Sequence, residues 1–195
     1  MDIDVQRNRL TKSECKNIYD MSYVFPYGVY VLHKCLSDES IYKLHKIFED
    51  DKELSPNDEN ALEIVSECLR RLSLTIEIIS VHFSNHKSKS MMTSIGVDSN
   101  NENIYNMVIP LQEVKEDMGP FIFFPNTNNI ITYKQFIEEQ NKSYGEVIER
   151  PHVKGLIKKG DSIIYQSNIL KCMSDNTSDV DNKMLVITYR EQKQP

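Results

Sequence analysis

From residue 74 onward the chain breaks again and again into short segments of strand composition, and that rhythm most limits what it can fold into. Segments 74–83, 91–97, 104–111, 121–124, 153–157, 162–165 and 185–189 are rich in β-branched and aromatic residues. An earlier one, Gly28-Val29-Tyr30-Val31-Leu32, has the same character. Punctuation separates them. Asp98-Ser99-Asn100-Asn101-Glu102-Asn103 is a polar turn, Gly119-Pro120 a break, and Lys158-Lys159-Gly160-Asp161 a tight hairpin-like turn. About eight short strands at close spacing point to a sandwich or barrel.

Two helices precede most of the strands. Ser37 offers an N-cap, and Ile41, Leu44, His45, Ile47 and Phe48 follow at helical spacing, so 38–50 reads as an amphipathic helix. Residues 50–60 are charged and hold Pro56, which marks a loop. Leu62, Ile64, Val65, Cys68, Leu69 and Leu72 repeat the pattern over 61–72. A further short helix is expected over 132–142, inside the strand series. Residues 1–22 are a polar lead-in with a short helix around 13–21. The class is therefore α+β, mainly β. At 195 residues the chain suits one domain, expected over 23–195.

Charge excludes some partners. Asp and Glu number 29 against 23 Lys and Arg, a net −6 with pI ≈ 5.4. Nucleic acid and anionic membrane surfaces call for a basic footprint, so neither is expected. No apolar run approaches the roughly 18 residues of a membrane span. The start of the chain has no apolar signal core, and the location expected is intracellular, in the cytoplasm or an organelle such as the mitochondrion. Cys15, Cys35, Cys68 and Cys172 lie far apart with no C-x-x-C pair, which reads as reduced thiols rather than a zinc ribbon.

The familiar catalytic signatures are missing. There is no G-x-S-x-G elbow, P-loop or G-x-G-x-x-G, and with 6 glycines a phosphate cradle is not expected. His33, at a strand end, and His45, beside a helical apolar stripe, read as structural. His82 and His86 stand four apart, a zinc spacing on a helix. Here they follow a strand and straddle a turn, so polar loop residues are the plainer reading. Nothing marks His152 as a ligand or Cys172 as a nucleophile. Met91-Met92 reads as strand core.

The order of these segments resembles the phytanoyl-CoA dioxygenase family of Fe(II)/2-oxoglutarate-dependent oxygenases over about 27–189. Tyr27-Gly28-Val29-Tyr30-Val31-Leu32 through Ser37-Asp38-Glu39 is similar to the family's opening strand and helix start. Val108-Ile109-Pro110-Leu111-Gln112-Glu113 with Met118-Gly119-Pro120-Phe121 resembles its W-x-A-L-D-D…N-G-x-L segment. Phe124-Pro125-Asn126-Thr127-Asn128 resembles its P-G-S-H turn, with Asn128 in place of the His. Lys158-Lys159-Gly160-Asp161 is close to its K-K-G-D, and 168–189 to its closing segment. The fold implied is a double-stranded β-helix, jelly-roll or cupin-like, with the N-terminal helices packed on one sheet.

In such enzymes two His and one carboxylate hold iron, and an Arg grips the distal carboxylate of 2-oxoglutarate. The resemblance puts the H-x-D motif at His86-Lys87-Ser88, the distal His at Lys171 and the Arg at Lys183. A different register would bring Asp98 or Glu102 in as the carboxylate. Taken so, His86 is a remnant ligand, Ser88 and Lys171 stand at the other ligand positions, and Lys183 and Lys171 could hold an anion. A serine hydroxyl is a poor iron ligand and a protonated lysine offers no lone pair. The expectation is a degenerate family member with no cofactor, binding a protein partner or a small anionic ligand. The alternative is a working dioxygenase with Fe(II) and 2-oxoglutarate.

Overall fold

A computed structural model describes residues 16–17, 28–49, 59–69, 76–129, 131, 133–135, 138 and 152–191. In chain order the elements are β1 (Lys16–Asn17), β2 (Val29–Leu32), α1 (Asp38–Glu49), α2 (Glu59–Leu69), β3 (Ile76–His86), β4 (Ile104–Pro110), β5 (Phe121–Phe123), β6 (Val153–Lys154), β7 (Ser162–Gln166), β8 (Lys171–Met173) and β9 (Asn182–Glu191). The strands form a five-stranded sheet, β2-β7-β4-β9-β3, and a four-stranded sheet, β1-β6-β5-β8. The pairing is antiparallel except between β1 and β6.

Strand alternation gives the five-stranded sheet two buried faces. On β9, Leu185, Ile187 and Tyr189 join Ile41 and Leu44 of α1 and Ile64, Val65 and Cys68 of α2 in one cluster. Met184 and Val186 join Phe121, Phe123, Val153 and Met173 of the other sheet in a second. The helices thus cover one face of this sheet while the four-stranded sheet covers the other. A third cluster, Ile122, Phe124, Leu170 and Cys172, lies on the far side of the four-stranded sheet.

Local chemistry fixes the start of α1. Ser37 caps it, its Oγ accepting from Ser40 N at 3.2 Å. Glu67 of α2 reaches over, accepting from Ser37 N at 3.0 Å and from the Ser40 hydroxyl, which ties the two helices together.

Three expectations change in detail. Residues 91–97 form no regular strand. They run beside β8 and the residues that follow it, between the bridges Gly96↔Lys171 and Ser90↔Asn176. The Thr93 hydroxyl and the Asp175 carboxylate accept from Met173 N and Met92 N, so side chains take ladder bonds that carbonyls would otherwise make. Lys158–Asp161 is a tight turn, with Asp161 N donating to Lys158 O at 3.1 Å and Gly160 at φ +83°. It is no hairpin, because β6 and β7 belong to different sheets. The short strand β8 is an addition to the sequence reading. The helix expected over 132–142 lies largely outside the described residues. So does the one expected over 13–21, where Lys16–Asn17 is strand.

Candidate functional site

A cavity of about 530 Å³ opens at one end of the space between the two sheets. His82 and Ser84 of β3, Thr188 of β9, Phe121 of β5 and Tyr165 of β7 line it, with Gly96, Asp98 and Lys171. That volume falls in the range of small-molecule sites.

The bridge between residues 91–97 and β8 sets its floor. Gly96 N donates to Lys171 O and Lys171 N to Gly96 O, both at 3.0 Å. Directly opposed residues that exchange both bonds present their side-chain positions on the same face. Asp98, two residues on, returns to that face, and its backbone is anchored by Asp98 N donating to Ser167 O at 2.9 Å. Positions 96, 98 and 171 therefore converge.

The side chains complete a closed network. Lys171 Nζ lies 2.9 Å from Asp98 Oδ1, with the two side chains 14% and 40% exposed. Tyr165 OH donates to Asp98 Oδ2 at 2.9 Å and Asn106 Nδ2 to the same oxygen at 3.0 Å. Asn106 is held in turn by Thr188, whose Oγ1 donates to its Oδ1 at 2.7 Å. The Lys171 ammonium also sits 5.5 Å from the Phe121 ring centroid and 5.4 Å from that of Tyr165. Burial, followed by the charge of Asp98 and its hydrogen bond, holds the Tyr165 phenol well above its ordinary range.

His86, Ser88 and Lys183 are not brought together with Lys171, whereas His82 lines the same cavity. His86 is buried, with Nε2 at 2.9 Å from Ser174 O. Its ring fills the space beside Gly119, where an added Cβ would come within 2.3 Å of His86 Cδ2. Ser88 turns toward Asp181, its backbone N donating to Oδ1 at 2.8 Å. Neither lines the cavity. Lys183 stands on the helix side of β9, its Nζ 4.7 Å from the Phe48 ring centroid. The inward position beside it belongs to Asn182, buried with an Oδ1 that has no partner. Lys183 faces the helices because successive strand residues point to opposite sides. His86 pairs with Asn182 on the inward face but packs against Gly119 beyond the cavity, and Ser88 lies past the end of β3.

His82 and His86 do not make a zinc pair. Four residues of extended strand separate them by about 13 Å, too far for two ligands of one ion. His45 is structural as expected, its Nε2 2.8 Å from Leu111 O. Asn128, at the end of the turn resembling P-G-S-H, bonds through Nδ2 to Gln166 Oε1. Asp98, which the sequence offered as an alternative carboxylate, is brought to Lys171, and Gly96 is the residue that a continuous reading of the strand at 91–97 could have found.

Solved structures share this architecture. SnoK, a non-heme α-ketoglutarate-dependent carbocyclase from nogalamycin biosynthesis, matches with a TM-score of 0.65 and 13% identity over 92% of this chain and 86% of its own. HygX from Streptomyces hygroscopicus, with nickel and 2-oxoglutarate bound, matches at 0.69 and 9% identity over 86% and 84%. The epimerase SnoN, in complex with Fe3+, α-ketoglutarate and nogalamycin RO, matches at 0.59 and 11% over 88% and 82%. The fold is the double-stranded β-helix of the iron/2-oxoglutarate oxygenases. No protein-family model and no curated protein matches the sequence.

These structures go against the sequence expectation that this chain takes no cofactor, since proteins of the same fold hold Fe3+ or nickel together with the keto acid. The residues at this cavity nevertheless do not fit an iron ion. Among the described residues no group of three His, Cys, Asp or Glu could hold a metal. Asp98 is a single carboxylate, and its partner is an ammonium that carries no lone pair.

Proposed function

We propose that this chain is a degenerate relative of the phytanoyl-CoA dioxygenase type, which binds a small polar ligand in its β-helix and does not oxidise it. The ion pair between Asp98 and Lys171 carries this reading. In the H-x-D…H pattern of that family, Gly96-Val97-Asp98 with Lys171 keeps the carboxylate and loses both imidazoles. The shared face of positions 96, 98 and 171 supports this register over the one through His86 and Ser88.

The loss is physical as well as formal. A dication about 4 Å from the Lys171 ammonium would be repelled by several kcal/mol even at an effective dielectric near 20. The ammonium already supplies the positive charge that Asp98 needs, and two aromatic faces hold it in place. The cavity stays open beside it, with hydroxyl groups among an otherwise largely apolar lining, which suits a ligand site.

The test is direct. Full-length protein is incubated anaerobically with Fe(II) and 2-oxoglutarate, dialysed, and exposed to oxygen. Bound iron well below one per chain and succinate at the level of a protein-free blank are expected. Stoichiometric iron with succinate above that blank would establish a working dioxygenase instead.

A further inference from the structure

Granting the non-oxidising reading above, we propose that the cavity takes a neutral, hydroxyl-rich ligand such as a monosaccharide or cyclic polyol. The charges on its floor point this way. Lys171 is already paired with Asp98 at 2.9 Å. Asp98 also accepts from Tyr165 and Asn106, so the charges of the pair are met within the protein. Among the described residues lining the cavity there is no Arg and no second Lys, and Lys183 lies on the opposite face of its strand. A dicarboxylate entering here would bring two charges to a cation that is already neutralised, beside a carboxylate of like sign. A cationic ligand would meet the ammonium.

A hydroxyl group has neither problem, because it donates and accepts at once. Set against the pair, it can accept from an ammonium N–H and donate to a carboxylate lone pair without breaking the bond between them. Part of the wall offers hydroxyls, beside apolar residues such as Phe121, Met173 and Val186. Ser84, Thr93, Ser94, Ser99, Ser167 and Thr188 all line the cavity. The Thr93 oxygen accepts from Met173 N, which leaves its own proton to give. A ligand with several hydroxyls can trade water for these groups one for one, and that exchange offsets its desolvation.

The experiment is saturation-transfer NMR on the full chain with D-glucose, D-mannose and myo-inositol, followed by competition with gluconate and 2-oxoglutarate. Gly96→Leu serves as the blocked form. An added Cβ at Gly96 meets no atom within 4 Å, so the larger side chain grows into open space. Ser94→Trp, on an exposed position of the rim, blocks the cavity independently should the first variant fold poorly. We expect transfer to at least one neutral polyol, at least tenfold weaker transfer in the folded blocked form, and no displacement by 2-oxoglutarate. The proposal is overturned if no neutral polyol receives transfer. It is equally overturned if transfer survives in the blocked forms, or if gluconate or 2-oxoglutarate binds more tightly than every neutral probe. Succinate release bears on the non-oxidising reading alone, so the two ideas fail separately.

Discussion

Lys171 Nζ lies 2.9 Å from Asp98 Oδ1, and the backbone of Lys171 is paired with Gly96 on the same extended segment as that aspartate. One ammonium thus ties β8 to the extended segment that carries Asp98.

If positions 96, 98 and 171 mark the old ligand set, metal binding can be rebuilt. Gly96→His combined with Lys171→His puts two imidazoles on the face of Asp98, and position 96 has room for a side chain. The double variant is expected to take up one Co(II) or Ni(II) with visible d–d absorption, where the parent protein shows none. A folded double variant that stays colourless would remove this register.

Lys171→Met should destabilise the fold by about 1–3 kcal/mol, since it leaves Asp98 without its cation in a partly buried network. Urea denaturation reads the change. Adding Asp98→Asn should recover part of it, because the charge that lost its partner is then gone. Purely additive losses in the two variants would show that the pair is not coupled.

Asp181 makes stability depend on acid. The Ser88 backbone N–H first, and then the Asn85 side chain and Lys87, pull its carboxyl down from 3.8 to about 2. A depressed carboxyl stabilises the fold fully above the unfolded value and loses that contribution as pH falls from about 4 toward 2. Asp181→Asn should lower Tm at pH 7, and the gap from the parent should close progressively down that acid window. A gap that stays constant from pH 7 to 2 would show that this charge does no such work.

The described thiols should be inert in the native state. Cys35 and Cys68 are buried together, and the hydrogen bond from Cys35 followed by burial lifts Cys68 well above the ordinary thiol range. Burial pushes Cys172 up to about 11 despite Lys171 beside it. In a Cys15→Ser background, an aromatic disulfide reagent at pH 8 should react with nothing until denaturant is added. Rapid native labelling at any of the three would contradict this packing.

The strand rhythm after residue 74, the Ser37 cap and the helical spacing of Ile41, Leu44, Ile64, Val65 and Cys68 were enough to establish a mainly β chain with two helices laid on one sheet. These signals are local: propensity, periodicity and capping depend on neighbours in the sequence. The fold resemblance was legible for the same reason, since its turns carry Gly and Asp at fixed offsets, as at Gly160 and Asp161. The site was not. His86, Ser88 and Lys183 fitted the family spacing on paper, yet each sits away from the cavity. Lys171 and Asp98 are 73 positions apart and meet only because β8 pairs with Gly96. Strand register is set by long-range backbone pairing, and a slip of one residue exchanges the cavity face for the core face. The sequence offered Asp98 beside Glu102 as an alternative carboxylate, and the choice between them, like that of Asn182 over Lys183 as the inward residue of β9, belonged to the tertiary structure.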